Sequence, residues 1–203
     1  MSPALGDHEA RRLAVSEAVW RVLAAKGFGG LRLRAVAAEM GASTGLLTHY
    51  FPTKHALLVY ALDLLEQRTM AKHSAADAKG LGGVSGLRAT ILDMLPLDAE
   101  RVASNRIWVG SWDVALADPE LGAEHDRRYR WGRERLRGLV ESAQALGELS
   151  PALVADDVAA AVQGFYLGLT VQALLSPELF PGERQIELVD DYLSGLIGTA
   201  QAK

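Results

Sequence analysis

The chain has 203 residues, 23% of them charged and 49% apolar, with no cysteine and a formal net charge of −4. That length accommodates one large domain, or a small domain on a larger one, with a sizeable buried core. The absence of cysteine excludes a disulfide scaffold, a thiolate-ligated zinc or iron–sulfur site and a cysteine nucleophile, and makes a reducing compartment the expected home. Met1–Ala10 carries Asp7 and Glu9 without a continuous apolar run, so no secretory leader is expected and the cytoplasm is the expected location. The charge is unevenly spread: residues 1–54 hold seven Lys/Arg against four acids, a net of +3, and the remaining residues sum to −7. A basic head on an acidic body is the balance expected of a nucleic-acid module joined to a regulatory one.

Apolar residues recur at three- and four-residue spacing along the whole chain and no stretch alternates with period two, so an all-α protein is expected. The first helix is predicted over about residues 8–25, with Leu13, Ala14, Ala18, Val22 and Ala25 as its apolar stripe, Trp20 and Phe28 as core anchors, and Gly27 as its stop. Leu33, Val36, Ala37 and Met40 then mark a short helix ended by Gly41, and Ser43 is placed to cap a second one over Thr44–Phe51 that Pro52 terminates. Thr53 caps a long helix to about residue 76. Helix, glycine turn, helix is the helix-turn-helix signature, and it sets a three-helix DNA-binding domain over 1–54 before a larger helical domain over 55–203.

Residues 79–86, KGLGGVSG, read as a flexible connection. They fail the dinucleotide-binding spacing at Ser85 and follow no strand. Further helices are predicted over roughly 86–95, 98–117, 119–147, 154–175 and 184–200, with prolines at 96, 119, 151, 177 and 181 marking the breaks.

At about 100° per residue from Thr44, Leu47 and Phe51 fall near 300° and 340° and form an inward face. Gly45, Leu46 and His49 point the other way. In a major groove, His49 can donate or accept at a base edge, Leu46 can meet a thymine methyl, and Gly45 permits close approach. Thr44, Thr48 and Tyr50 flank this face with hydroxyls for phosphate oxygens, and Lys54 adds a cation at the start of the next helix.

Residues 10–60, above all VAAEMGASTGLLTHYFPTKHALL, resemble the N-terminal domain of the TetR family of one-component transcriptional regulators, through Ser43, Thr44, Gly45, the His49-Tyr50-Phe51 run and Lys54. Arg32 departs from the Thr or Ser with which that family often caps the helix before the turn, and offers a phosphate-binding cation instead. Residues 105–137 are similar to the C-terminal domain of the BetI-type branch, whose founding members repress betaine synthesis and respond to choline. The resemblance implies a homodimeric repressor on a pseudo-palindromic double-stranded operator, released by a small-molecule effector whose identity stays open.

Residues 158–177 carry no charge over a span-sized length. Gln163, Gln172, the acidic flanks and the lack of a basic cluster favour a helix buried in protein over one in a membrane, so no membrane partner is expected. Ala160, Gly164 and Gly168 form a small-residue stripe on this helix that allows close helix contact, and Val189, Leu193 and Leu196 belong to an apolar stripe on the last helix. In the family the last two helices form a four-helix dimer interface, and these six residues are assigned to it.

The arginines at 127, 128, 130, 133, 135 and 137 stand at helical spacing from acids, with Glu124–Arg128, Asp126–Arg130, Arg130–Glu134 and Arg137–Glu141 as pairs, and read as a solvated, salt-bridged face. Trp108 and Trp112 share a face one turn apart, which fits either core packing or the wall of an effector cavity. Asp113, Met94, Tyr129, Phe165 and Tyr166 are the other candidate lining residues, suited to an apolar or cationic small molecule. No H-E-x-x-H, P-loop or G-x-S-x-G motif is present, so no catalytic residue, metal or cofactor is assigned. A helical protein–protein adaptor and, further off, a small-molecule enzyme are the competing readings.

Overall fold

A computed structural model describes the backbone of residues 3–77 and 80–201 and the side chains of residues 10–67 and 80–197. Among the described residues ten helices follow in chain order: α1 (Pro3–Gly30), α2 (Leu33–Met40), α3 (Thr44–Tyr50), α4 (Lys54–Asp77), α5 (Gly83–Met94), α6 (Ala99–Gly110), α7 (Trp112–Ala117), α8 (Pro119–Ala145), α9 (Ala155–Leu175) and α10 (Gly182–Gln201). They divide into two compact units. Met1–Thr69 with Arg106–Leu121 make the first, and Met70–Asn105 with Gly122–Lys203 the second.

The first unit is built on α1. Its buried residues are Val15, Ala18, Val19, Val22 and Leu23, while Leu13 is 62% exposed and Ala14 and Ala25 face solvent. The apolar stripe is therefore rotated from the expected one, because the larger Val15, Val19 and Leu23 bury more area than the alanines they replace. Gly27 breaks the helix with a φ of 61° and ψ of −174°, a region only glycine occupies without strain, and the helical turn beyond it carries Phe28 into the core at 3% exposure. Leu31, Val36, Ala37, Leu47, Phe51, Leu57, Leu58, Ala61 and Leu62 complete this core, and Ile107 and Leu121 reach it from the later segment.

That later segment departs from the single helix expected over 98–117. Ser111 interrupts it, its N–H bonding the Trp108 carbonyl three residues back, and α7 begins anew. Asp118 then does two jobs: its N–H ends α7 on the Val114 carbonyl, and its Oδ1 accepts the N–H groups of Glu120 and Leu121 to start α8, with Pro119 in the first helical position. The opposite oxygen, Oδ2, lies 3.2 Å from His55 Nδ1, so the imidazole at the start of α4 holds the Asp118 carboxylate, and Glu120 Oε2 lies 3.0 Å from the same ring's Nε2.

In the second unit, α5, α8, α9 and α10 enclose Leu87, Ile91, Leu136, Val140, Val158, Val162, Leu169, Val189 and Leu193. The glycine-rich stretch is not the flexible connection expected. Gly83 to Gly86 form the first turn of α5, and Lys79 lies outside the described residues. Ser142 Oγ accepts the Gly83 N–H at 3.1 Å and Glu148 Oε2 accepts the Val84 N–H at 2.8 Å, so side chains some sixty residues away cap this helix. Gly86 is buried, and a Cβ there would stand 2.7 Å from both Leu139 Cδ2 and the Leu81 carbonyl oxygen. Arg88 and Asp190 form a bidentate pair at 2.6 and 3.0 Å between α5 and α10.

α9 is long and apolar enough by composition to cross a membrane, yet Val158, Ala159, Val162, Gln163, Tyr166, Leu169, Thr170 and Ala173 are buried in this unit's own packing. Gln163 Nε2 donates to the Tyr129 carbonyl. Of the pairs expected on α8, Arg130 with Asp126 at 2.5 Å and Arg137 with Glu141 at 2.8 Å form; Glu124 bonds Arg127 as well as standing near Arg128, and Glu134 turns to Arg137 instead of Arg130. Arg128 lies 3.8 Å from Glu124 but departs from the solvated face, being only 8% exposed. Leu121, His125, Arg128, Gly132, Leu136, Val140 and Ala143 recur at three- and four-residue steps, and Arg128 falls on that inward stripe rather than on the solvated face.

Candidate nucleic-acid interface

The helix-turn-helix is assembled by local backbone chemistry. Arg32 occupies the N-cap of α2 in extended conformation without a side-chain cap, as expected from the missing Thr or Ser. Gly41 takes the left-handed conformation (φ 62°, ψ 28°) that reverses the chain, and the N–H groups of Gly41 and Ala42 close on the carbonyls of Ala38 and Ala37. Ser43 Oγ accepts the Leu46 N–H at 3.4 Å to start α3, and Thr53 Oγ1 accepts the Ala56 N–H at 3.0 Å to start α4.

With both ends set, the two faces of α3 separate as the angular spacing requires. Leu47 is fully buried and Phe51 is 5% exposed, while Thr44, Gly45, Leu46, Thr48 and His49 face solvent and Tyr50 is half-buried. The Tyr50 ring stands edge-on to His49, centroids 5.9 Å apart, and also packs on the core, so it steadies His49. The Thr48 hydroxyl donates to the Thr44 carbonyl at 2.9 Å.

Charge on this unit sorts in the same way. Arg21 is held by Glu39 at 2.6 Å and lies 3.6 Å from Glu17. Arg32, Arg34 and Lys54 are exposed and form no ion pair among the described residues. Arg34 entered the reading of the sequence only as part of the net charge. It lies in the first turn of α2 with no acid three or four residues away, a signal that marks an unneutralised cation as clearly as its exposure does.

The residues assigned to an effector lie in both units. In the first, Trp108 packs half-buried on the core, Trp112 is half-buried with a shielded indole Nε1 that has no acceptor among the described residues, and Asp113 is exposed at the start of α7. In the second, Met94 packs on the core, Tyr166 is 9% exposed within it, and Tyr129 lies with its ring 6.0 Å from that of His125. Phe165 stacks flat on Tyr192, centroids 4.2 Å apart, joining α9 to α10. Burial raises the pKa of the Tyr166 phenol and, with the nearby Arg128 charge as a lesser cause, lowers that of His125 to about 4. Among the described residues no group of three His, Asp or Glu is arranged to hold a metal.

Of the six residues assigned to a dimer face, Ala160, Gly164 and Gly168 are exposed along one side of α9, and added Cβ atoms at the two glycines would meet nothing. Leu196 is half-buried. Val189 and Leu193 require correction, being 0% and 4% exposed within their own chain, so these two side chains face the core and not a partner.

Residues 15–61 match the sequence model of bacterial regulatory proteins of the tetR family, and residues 84–198 match that of the BetI-type transcriptional repressor C-terminal domain. The chain is 28% identical over 172 residues to the HTH-type transcriptional regulator PksA of Bacillus subtilis, covering 84% of this chain and 82% of that protein. It is 26% identical over 202 residues to the HTH-type transcriptional regulator BetI of Burkholderia mallei, covering 96% and 97%. Its fold is similar to a transcriptional regulator from Rhodococcus sp. Rha1 (TM-score 0.81, 25% identity, 94% and 97% covered) and to a regulator from Saccharomonospora viridis in complex with choline (TM-score 0.81, 20% identity, 92% and 96% covered). With a two-faced α3 behind a glycine turn and both halves of the chain matched, the protein belongs to the TetR family of transcriptional regulators and carries a BetI-type repressor C-terminal domain.

Proposed function

We propose that this chain is a cytoplasmic repressor that binds a pseudo-palindromic operator as a homodimer, one α3 per major groove, and leaves it when a small molecule binds the helical domain. The observation that carries the reading is the composition of the head's exterior: Thr44, Gly45, Leu46, Thr48 and His49 point outward from a firmly seated helix, and Arg32, Arg34 and Lys54 stand exposed with no carboxylate partner among the described residues. Hydroxyls and cations suit phosphate oxygens, and the helix face suits base edges. Residues 1–54 supply the DNA contacts, and residues 55–203 the effector site and dimer contacts.

Ala160, Gly164 and Gly168 are the proposed close-contact line between protomers, since helices approach most closely where side chains are smallest. The effector is a small molecule recognised by aromatic groups, for which Trp108, Trp112, Asp113, Met94, Tyr129, Phe165 and Tyr166 remain the candidates. The choline bound by the Saccharomonospora relative makes a quaternary ammonium compound the first to try, because an indole face attracts a cation. Binding would act on DNA affinity through a coupling free energy between the two sites.

The test is selection of duplexes from a random pool with the full chain, followed by affinity measurements on the winner across a salt series and in the presence of candidate effectors. A DNA reader enriches a sequence and loses affinity steeply as salt rises. A protein-binding adaptor enriches none, and that result would overturn the proposal.

A further inference from the structure

The recognition helix lacks the side chains that most often read bases. Its sequence, TGLLTHY, contains no Arg, Lys, Asn or Gln. The bidentate readings of guanine by Arg or Lys, and of adenine by Asn or Gln, are therefore unavailable to α3. What the helix presents instead is apolar. Leu46 is 36% exposed, a large aliphatic group on a surface otherwise made of threonine, glycine and histidine. Thr48 has already committed its hydroxyl proton to the Thr44 carbonyl at 2.9 Å, so toward DNA it can offer only a methyl group and an acceptor oxygen. Gly45 leaves open space, the nearest atom to an added Cβ being Ser43 Oγ at 3.8 Å, so nothing holds the neighbouring Leu46 away from a groove floor. His49 is the remaining side chain on this face with a ring nitrogen able to make a single hydrogen bond to a base edge.

The major groove has one apolar feature, the 5-methyl group of thymine. Building on the operator-binding reading above, we propose that α3 selects its half-site chiefly through thymine 5-methyl groups packed on Leu46 and Thr48, with His49 fixing register by one hydrogen bond. Specificity in this scheme comes from matching an apolar side chain to an apolar base edge, and the exposed cations Arg32, Arg34 and Lys54 contribute strength without sequence.

The experiment uses the full-length chain and the duplex it selects from a random pool, remade with single-atom-group changes. Replacing a contacted thymine by deoxyuridine removes only the methyl and should weaken binding about 4-fold, the factor associated with burying one such group. Replacing that T·A pair by 5-methylcytosine·G, which returns a methyl to the same place, should bind better than unmethylated C·G at that position. The thymine-to-uracil ratio should fall to one at a single position in Leu46→Ala. At a second position it should persist in Thr48→Val and vanish in Thr48→Ser, each variant being checked for an unchanged melting curve.

Failure to enrich any duplex would refute the operator reading itself. A selected duplex that binds equally well with uracil at every thymine, but weakens when guanines become 7-deazaguanine, would leave the operator reading standing and overturn the methyl reading in favour of arginine contacts from α2.

Discussion

His125 should make the folded protein sensitive to mild acid. It lies 4% exposed on the inward stripe of α8, and burial, with the Arg128 charge adding to it, lowers its pKa from 6.5 to about 4. As pH falls below 6.5 the unfolded chain takes up a proton at this residue while the folded chain does not, so stability that is complete above 6.5 drains away and is fully lost below about 4. At about 1.4 kcal/mol per pH unit, the loss is about 2 kcal/mol at pH 5 and about 3 kcal/mol in total. The perturbation is His125→Gln, which keeps a polar group of similar size but cannot charge. Urea denaturation at pH 7.5 and pH 5 supplies the measurement, and the quantity of interest is the change with pH in the difference between the two proteins. The variant should lie below wild type at pH 7.5 and recover relative to it by about 2 kcal/mol at pH 5. A difference that is the same at both pH values would mean that His125 titrates as it does in the unfolded chain, and the argument from its burial would fail.

His49→Ala should cost about 0.5–1.5 kcal/mol on the selected operator, the worth of one hydrogen bond, and relax preference at one base pair, whereas Lys54→Ala should weaken all sequences alike and reduce the salt slope by about one; equal losses on cognate and random DNA for both would contradict the division of roles. Gly164→Leu should leave the folded protomer intact or slightly stabilised, since a Cβ there meets nothing within 4 Å on this exposed side of α9 and leucine favours helix over glycine. The same substitution should shift sedimentation from dimer toward monomer, and an unchanged dimer would remove Gly164 from the interface. Gly41→Ala places a β-carbon at a φ of 62°, which costs about 1–2 kcal/mol and should lower both the melting temperature and operator affinity, because this turn orients α3; an unaltered melt would count against that conformation. Trp112→Phe keeps the ring but removes an indole N–H without an acceptor among the described residues; an effector that accepts from it should bind more weakly by about 0.5–1.5 kcal/mol, and unchanged titration curves would place recognition elsewhere.

The head was readable because its signals are local. Gly41, Ser43, Pro52 and Thr53 act on their own few residues, and the heptapeptide between the turn and the proline separates its faces by arithmetic alone. What was not readable depends on partners distant in the chain. A run of glycines resembles a linker until Ser142, on α8, and Glu148, in the turn after it, are seen to cap it. Arg128 has an acid four residues before it, as the solvated Arg130 does, and only the phase of the α8 stripe puts it inside. Val189 and Leu193 illustrate the same ambiguity: an apolar stripe announces burial without saying whether its own chain or a second copy provides it. One unbroken helix would set Trp108 and Trp112 a turn apart on one face, whereas the turn at Ser111 puts them on two helices.

The first unit draws Ile107 and Leu121, 1% and 0% exposed, from a stretch that follows Thr69 by dozens of residues. During synthesis its core is therefore two side chains short when α4 leaves the ribosome, and their sockets wait open until residue 121 has emerged. The same waiting applies to the engineer. A fragment cut at Thr69 would expose those sockets and invite aggregation, so a transplantable version of the DNA-binding head must carry residues 106–121 with it, joined by a linker in place of the intervening chain.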